Sequence, residues 1–133
     1  MSMNNYFDRN PVLLYFGRKV VEEILDKSIR QTLSAFSNPK NTLLQKKIAT
    51  FSQEQIDVLR ELVPYIITGT VSDMLCFFEE NEDIQLMVDF EGEKVNIVEV
   101  SDGLYGDLNG RDGWIDRFGK YIDFVTEEDR KKG

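Results

Sequence analysis

The sequence predicts an α+β fold, mostly helical, with two long antiparallel helices, a two-stranded antiparallel β-hairpin and a C-terminal helix. Two observations give the helices and a third gives the hairpin. Apolar residues recur at helical spacing over residues 12–36 and again over 56–78. The apolar period then shortens to two between Ile84 and Val100. The chain of 133 residues suits one domain, 1–133, large enough to build a core without disulfide or metal staples.

The first long helix is predicted over residues 12–36. Val20, Val21, Ile24, Leu25, Ile29, Leu33 and Phe36 supply its apolar face, and Glu22, Glu23, Asp26, Lys27, Arg30 and Gln31 the polar one. Asn10-Pro11 reads as an N-cap followed by proline at the first helical position. Ser37-Asn38-Pro39 stops the helix, because proline disfavours a helical residue before it. A brief helix over Leu43–Phe51 follows. Ser52-Gln53-Glu54-Gln55 carries a capping-box spacing and opens the second long helix. Its expected buried stripe is Ile56, Leu59, Val63, Ile66, Ile67, Val71, Met74, Leu75 and Phe78. Pro64 predicts a kink or break near residues 60–63, since its ring clashes with the preceding turn and it donates no hydrogen bond.

Residues 84–90 and 95–100 read as two strands joined at Glu91-Gly92-Glu93. Residues 101–113 read as a glycine- and aspartate-rich loop, and Trp114–Phe124 as a short helix. The charged tail from Thr126 reads as frayed.

Composition removes several chemistries. With no histidine, Ser-His and Cys-His pairs, an HExxH zinc site and an imidazole base are all absent. The one cysteine, Cys76, permits neither an internal disulfide nor a cysteine-only zinc cluster, and its neighbours Leu75, Phe77 and Phe78 suggest a core position. The N-terminal residues lack a basic stretch followed by an apolar core, so a cytoplasmic location is expected. The apolar run Val12–Phe16 falls far short of the roughly 20 residues that span a bilayer, so no membrane partner is expected. Charge is uneven: residues 1–70 hold nine Lys/Arg and seven Asp/Glu, and residues 71–133 hold seven and 17. The second half is thus net -10 in a chain of net -8, which repels phosphate and disfavours nucleic acid.

Residues 101–116 concentrate glycine, acid and aromatic side chains. A calcium loop counted from Asp107 fits at Asn109, but Arg111 falls on a ligand position and Phe118 where the bidentate acid belongs. No metal or cofactor is therefore expected. Paired carboxylates among Asp102, Asp107, Asp112 and Asp116 could perform acid–base chemistry beside Tyr105 and Trp114, yet no spacing selects a pair, and an enzyme is not the favoured reading. The bland alternative is that these side chains make turns and cap the Trp114 helix.

Leu62-Val63-Pro64-Tyr65, the run from Asp73 to Glu80, the run from Asp102 to Leu108 and the run from Asp112 to Phe118 resemble small uncharacterised bacterial proteins, some of them immunity proteins that accompany secreted toxins. The resemblance covers residues 52–124, about half the chain, and carries over no functional residue. It implies a soluble acidic protein-binding module, an immunity or inhibitor protein that docks on a basic partner such as a nuclease cleft. Asp102, Tyr105, Asp107, Asp112, Trp114 and Asp116 are the candidate contact residues. The alternatives are a small ligand-binding protein or carboxylate-based enzyme, and a subunit that dimerises through its helices.

Overall fold

A computed structural model describes residues 3–37 and 42–121. The fold is mostly helical α+β with a two-stranded antiparallel sheet. An N-terminal helix, α1 (Met3–Arg9), precedes α2 (Pro11–Val20), a π-helical turn (Val21–Leu25) and α3 (Asp26–Ser37), which together form the first long helical segment. Pro11 occupies the first turn of α2 as expected, but Asn10 does not cap it: its amide nitrogen donates to the Tyr6 carbonyl instead, at 2.9 Å.

The π turn explains why the expected stripe on this segment is only partly right. A π turn inserts one residue and advances the helical phase by about 100°. Leu25 therefore takes the buried position that a regular helix gives to Ile24, and Ile24 is left 49% exposed. The same shift carries Asp26 inward, off the predicted polar face. Its two carboxylate oxygens accept the Lys120 backbone N–H at 3.2 Å each, and burial raises its pKa above the ordinary carboxylate range.

Helix α4 (Leu43–Ile48) is capped by Thr42 and Gln45, and α5 (Gln53–Glu80) by Ser52 and Gln55, each pair a complete capping box. Helix α5 runs unbroken for 28 residues through Pro64, whose ring is fully buried. Its inner face sets Ile67, Val71 and Leu75 against the core. Of the other stripe residues predicted to be buried, Ile66 and Met74 face solvent.

Strands β1 (Met87–Phe90) and β2 (Glu93–Asn96) pair antiparallel, with Met87 opposite Asn96 and Phe90 opposite Glu93. Glu91 and Gly92 form the turn with φ of 51° and 85°, the left-handed pair that matches the twist of a two-residue hairpin. The second strand ends earlier than expected. The Asn96 side chain accepts the Val98 N–H at 3.1 Å and starts a helical turn, α6 (Ile97–Val100), which turns Ile97 into the core.

The predicted loop also contains a helix, α7 (Leu104–Asn109), and α8 (Trp114–Phe118) follows. Helix α8 is shorter than the predicted span. Gly119 closes it, its N–H bonding the Ile115 carbonyl at 2.8 Å, and Lys120 turns to Asp26. Residues 122–124 of that span and the charged tail lie outside the described residues.

The core gathers Phe7, Leu13, Val21, Leu25, Ile29, Leu104, Leu108 and Trp114 from both ends of the chain, with Ile97 and Leu75. Burying each such side chain stabilises the fold by about 1.5–3 kcal/mol. Trp114 sits directly on Gly17, where an added Cβ would lie 2.3 Å from its ring. That glycine serves close approach of an indole, an explanation the helix pattern alone could not supply.

Candidate functional site

Residues 101–118 form a platform rather than a loose loop. Its underside is apolar: Leu104 and Leu108 of α7 and Trp114 and Ile115 of α8 are buried. Its polar anchor is Asp107, which is 2% exposed. One carboxylate oxygen of Asp107 accepts the Ser101 hydroxyl at 2.6 Å and the Tyr6 hydroxyl at 3.1 Å. The Tyr6 oxygen in turn accepts the Asp102 N–H at 2.9 Å, and the Ser101 oxygen accepts the Gly103 N–H at 3.0 Å. Burial raises the pKa of both Asp107 and Tyr6. The hydroxyls of Ser101 and Tyr6 act in the opposite sense on Asp107, while Asp102 and Glu79 nearby add to the rise.

Two further contacts fix the platform to α5. Glu79 accepts the Leu104 N–H at 3.3 Å, and the Asn109 amide donates to Ser72 Oγ at 2.9 Å. At the far end, the Asp116 carboxylate accepts the Asp112 N–H at 2.9 Å, and Arg117 Nε donates to the Asp112 carbonyl at 2.7 Å while its guanidinium lies over the Phe7 ring. Asp112 has φ of 60°, a left-handed conformation that aspartate tolerates better than most side chains.

The six candidate residues therefore divide. Trp114 is fully buried among Phe16, Gly17 and the core, so its indole is a structural anchor in this conformation and not a contact surface. Asp107 points inward and is likewise structural. Asp102, Tyr105, Asp112 and Asp116 face solvent, Tyr105 with 56% of its surface exposed. The Asp112 backbone N–H donates to the Asp116 carboxylate, whereas Asp107 turns away from both. Among the described residues no three acidic or cysteine side chains converge on a point that could hold a metal ion.

Sequence reasoning missed Tyr6, Ser101 and Glu79 as partners of this segment. Tyr6 and Glu79 lie 101 and 25 residues from the groups they bind, and no periodic pattern links them. Cys76 is half-buried rather than enclosed, and burial together with Glu79, Glu80 and Asp73 raises its thiol pKa. A groove of about 340 Å³ opens between Arg9–Val12 and the hairpin, beside Phe90, Glu91 and Glu93, and none of the six candidate residues lines it.

One described helix, α5, is long and apolar enough to cross a membrane by length and composition, with 17% of its apolar window buried in the fold. No family model, curated protein or solved structure matches the chain.

Proposed function

We propose that the protein is a soluble acidic protein-binding module of the immunity or inhibitor kind, which works in the cytoplasm by docking its C-terminal half on a basic partner protein, a toxin being the favoured example. The observation that supports this reading is the anchoring of residues 101–118. Asp102, Tyr105, Asp112 and Asp116 stand on a support whose other side is pinned by Trp114, Leu104, Leu108 and the Asp107 network. Binding groups held this way lose little conformational freedom on association. The acids speed encounter with a positive surface and fix orientation, and the Tyr105 ring supplies apolar contact that slows release.

The test replaces Asp102, Asp112 and Asp116 with asparagine in one variant and Tyr105 with alanine in another. Capture of basic proteins from a lysate of the producing cells is then compared with wild type across a salt series. The acid variant should melt within about 0.5 kcal/mol of wild type, as surface changes do. It should capture less, and with a shallower salt dependence. Tyr105→Ala should weaken capture while leaving the salt slope intact. Equal capture by wild type and both variants would place the binding face elsewhere.

A further inference from the structure

Helix α5 leaves an apolar face uncovered. Val58, Leu62, Tyr65, Ile66 and Phe77 are exposed along it, Tyr65 with 74% of its surface in solvent. Leu62, Tyr65, Ile66 and Gly69 follow helical spacing, so they share a side opposite the buried Pro64 and Leu75 and the half-buried Ile67 and Val71. From Leu62 to Ser72 the helix carries no charged residue. The position where a Gly69 Cβ would stand has no atom within 4 Å, so an open notch lies one turn beyond the Tyr65 ring.

We propose that this face binds a second copy of the same chain, two α5 helices crossing antiparallel about a two-fold axis near residue 67. In that register Tyr65 of each copy enters the Gly69 notch of the other, and Val58 falls within one residue of Phe77. The uncharged centre and the exposed area favour this occupant. A two-fold interface pairs residue i with residue j and j with i, so in this register Glu61 of each copy faces Asp73 of the other and the span between them is uncharged. In a chain of net charge -8, a charge-free centre flanked by Glu61 and Asp73 is a surface two copies can share. With an aromatic side chain covering about 150–250 Å² and an aliphatic one somewhat less, the exposed fractions leave roughly 500 Å² of apolar surface per copy. A pair that covers all of it buries about 1,000 Å², the lower bound for a specific interface and the range of weak, reversible pairs. An anionic lipid surface would repel the acids that flank the face.

Mass by light scattering is measured over a concentration series up to about 100 μM, at low and high salt, for wild type, Tyr65→Asp and Gly69→Leu. Both variants change exposed sites with free space around them, and circular dichroism melts confirm their fold. Wild type should pass from monomer to dimer, and added salt should strengthen the dimer by screening Glu61 and Asp73. That is opposite to the salt response of partner capture, so the two proposals fail separately. Each variant should weaken self-association by at least about tenfold, which corresponds to about 1.4 kcal/mol. A monomer at every concentration, dimers undiminished in both variants, or monomers that co-float with neutral phosphatidylcholine vesicles would overturn the proposal.

Discussion

Two residues, Gly17 and Asp107, hold the platform in place, and each makes a distinct prediction. At Gly17 even a methyl group must displace the Trp114 ring. Overpacking of this kind costs about 1–3 kcal/mol, occasionally more, so Gly17→Ala should lower the melting temperature even though alanine favours a helix. At Asp107, replacement by alanine leaves the Tyr6 and Ser101 hydroxyls without their acceptor. At about 1–3 kcal/mol for each buried polar group left unsatisfied, the loss should be large. Asp107→Asn keeps an oxygen for both donors and should be far milder. The pH response separates the wild type from the asparagine variant. Because burial raises the Asp107 pKa, the folded chain holds that proton more tightly than the unfolded chain. Its contribution to stability is therefore gained as pH falls through the interval between the unfolded and folded values, and lost again as pH rises. Wild type should gain on Asp107→Asn as pH is lowered toward the ordinary carboxylate range in paired thermal melts, and a constant difference would count against this account. Cys76, held protonated by burial and by the acids around it, should react slowly with thiol reagents near neutral pH.

The elements show which parts of a fold a sequence makes legible. The capping box at Ser52 and the Glu91-Gly92 turn were local, and local signals translated directly into structure. The hairpin carries its own prediction. Glu91 adopts φ of 51° without the freedom of glycine, and Asn-Gly is the favoured pair for such a turn. Glu91→Asn should therefore raise stability by a fraction of a kcal/mol to about 1 kcal/mol, and Gly92→Ala should lower it, both measurable by denaturant midpoint. Long-range features were not legible. The phase shift after Val21 arises from a π turn with no sequence mark, and it exchanged Ile24 for Leu25 and buried Asp26. Apolar periodicity located the α5 stripe but not which part of it the rest of the chain would cover, so Ile66 and Met74 were assigned to the wrong environment. Trp114 was legible as important and illegible in role, because an aromatic among acids looks alike whether it faces a partner or a glycine 97 positions earlier.

Over the whole molecule, two surfaces of opposite character coexist. The charge-free outer face of α5 and the acidic platform share the helix that supports both, since Ser72 and Glu79 on α5 bond residues of α7. Removing divalent ions should not alter the melt, because the described carboxylates are spread over the surface or bonded to hydroxyl and backbone groups. Parallel scans with and without a chelator check this, and a marked drop with chelator would point to a bound cation.

The Tyr6–Asp107 bond joins residues 101 apart in sequence. On a ribosome adding about 5–20 residues per second, the tyrosine emerges some 5–20 s before the aspartate that accepts its proton. Phe7, Leu13 and Gly17 wait as long for Leu108 and Trp114, so the core cannot close before those residues emerge. The nascent chain meanwhile offers a finished, capped α5 with its apolar sides bare, the kind of surface chaperones recognise. Folding should accordingly wait until Trp114 has left the ribosome. Ribosome-stalled chains ending before Leu104 should remain protease-sensitive, and chains that have fully released Trp114 should become resistant in a single step.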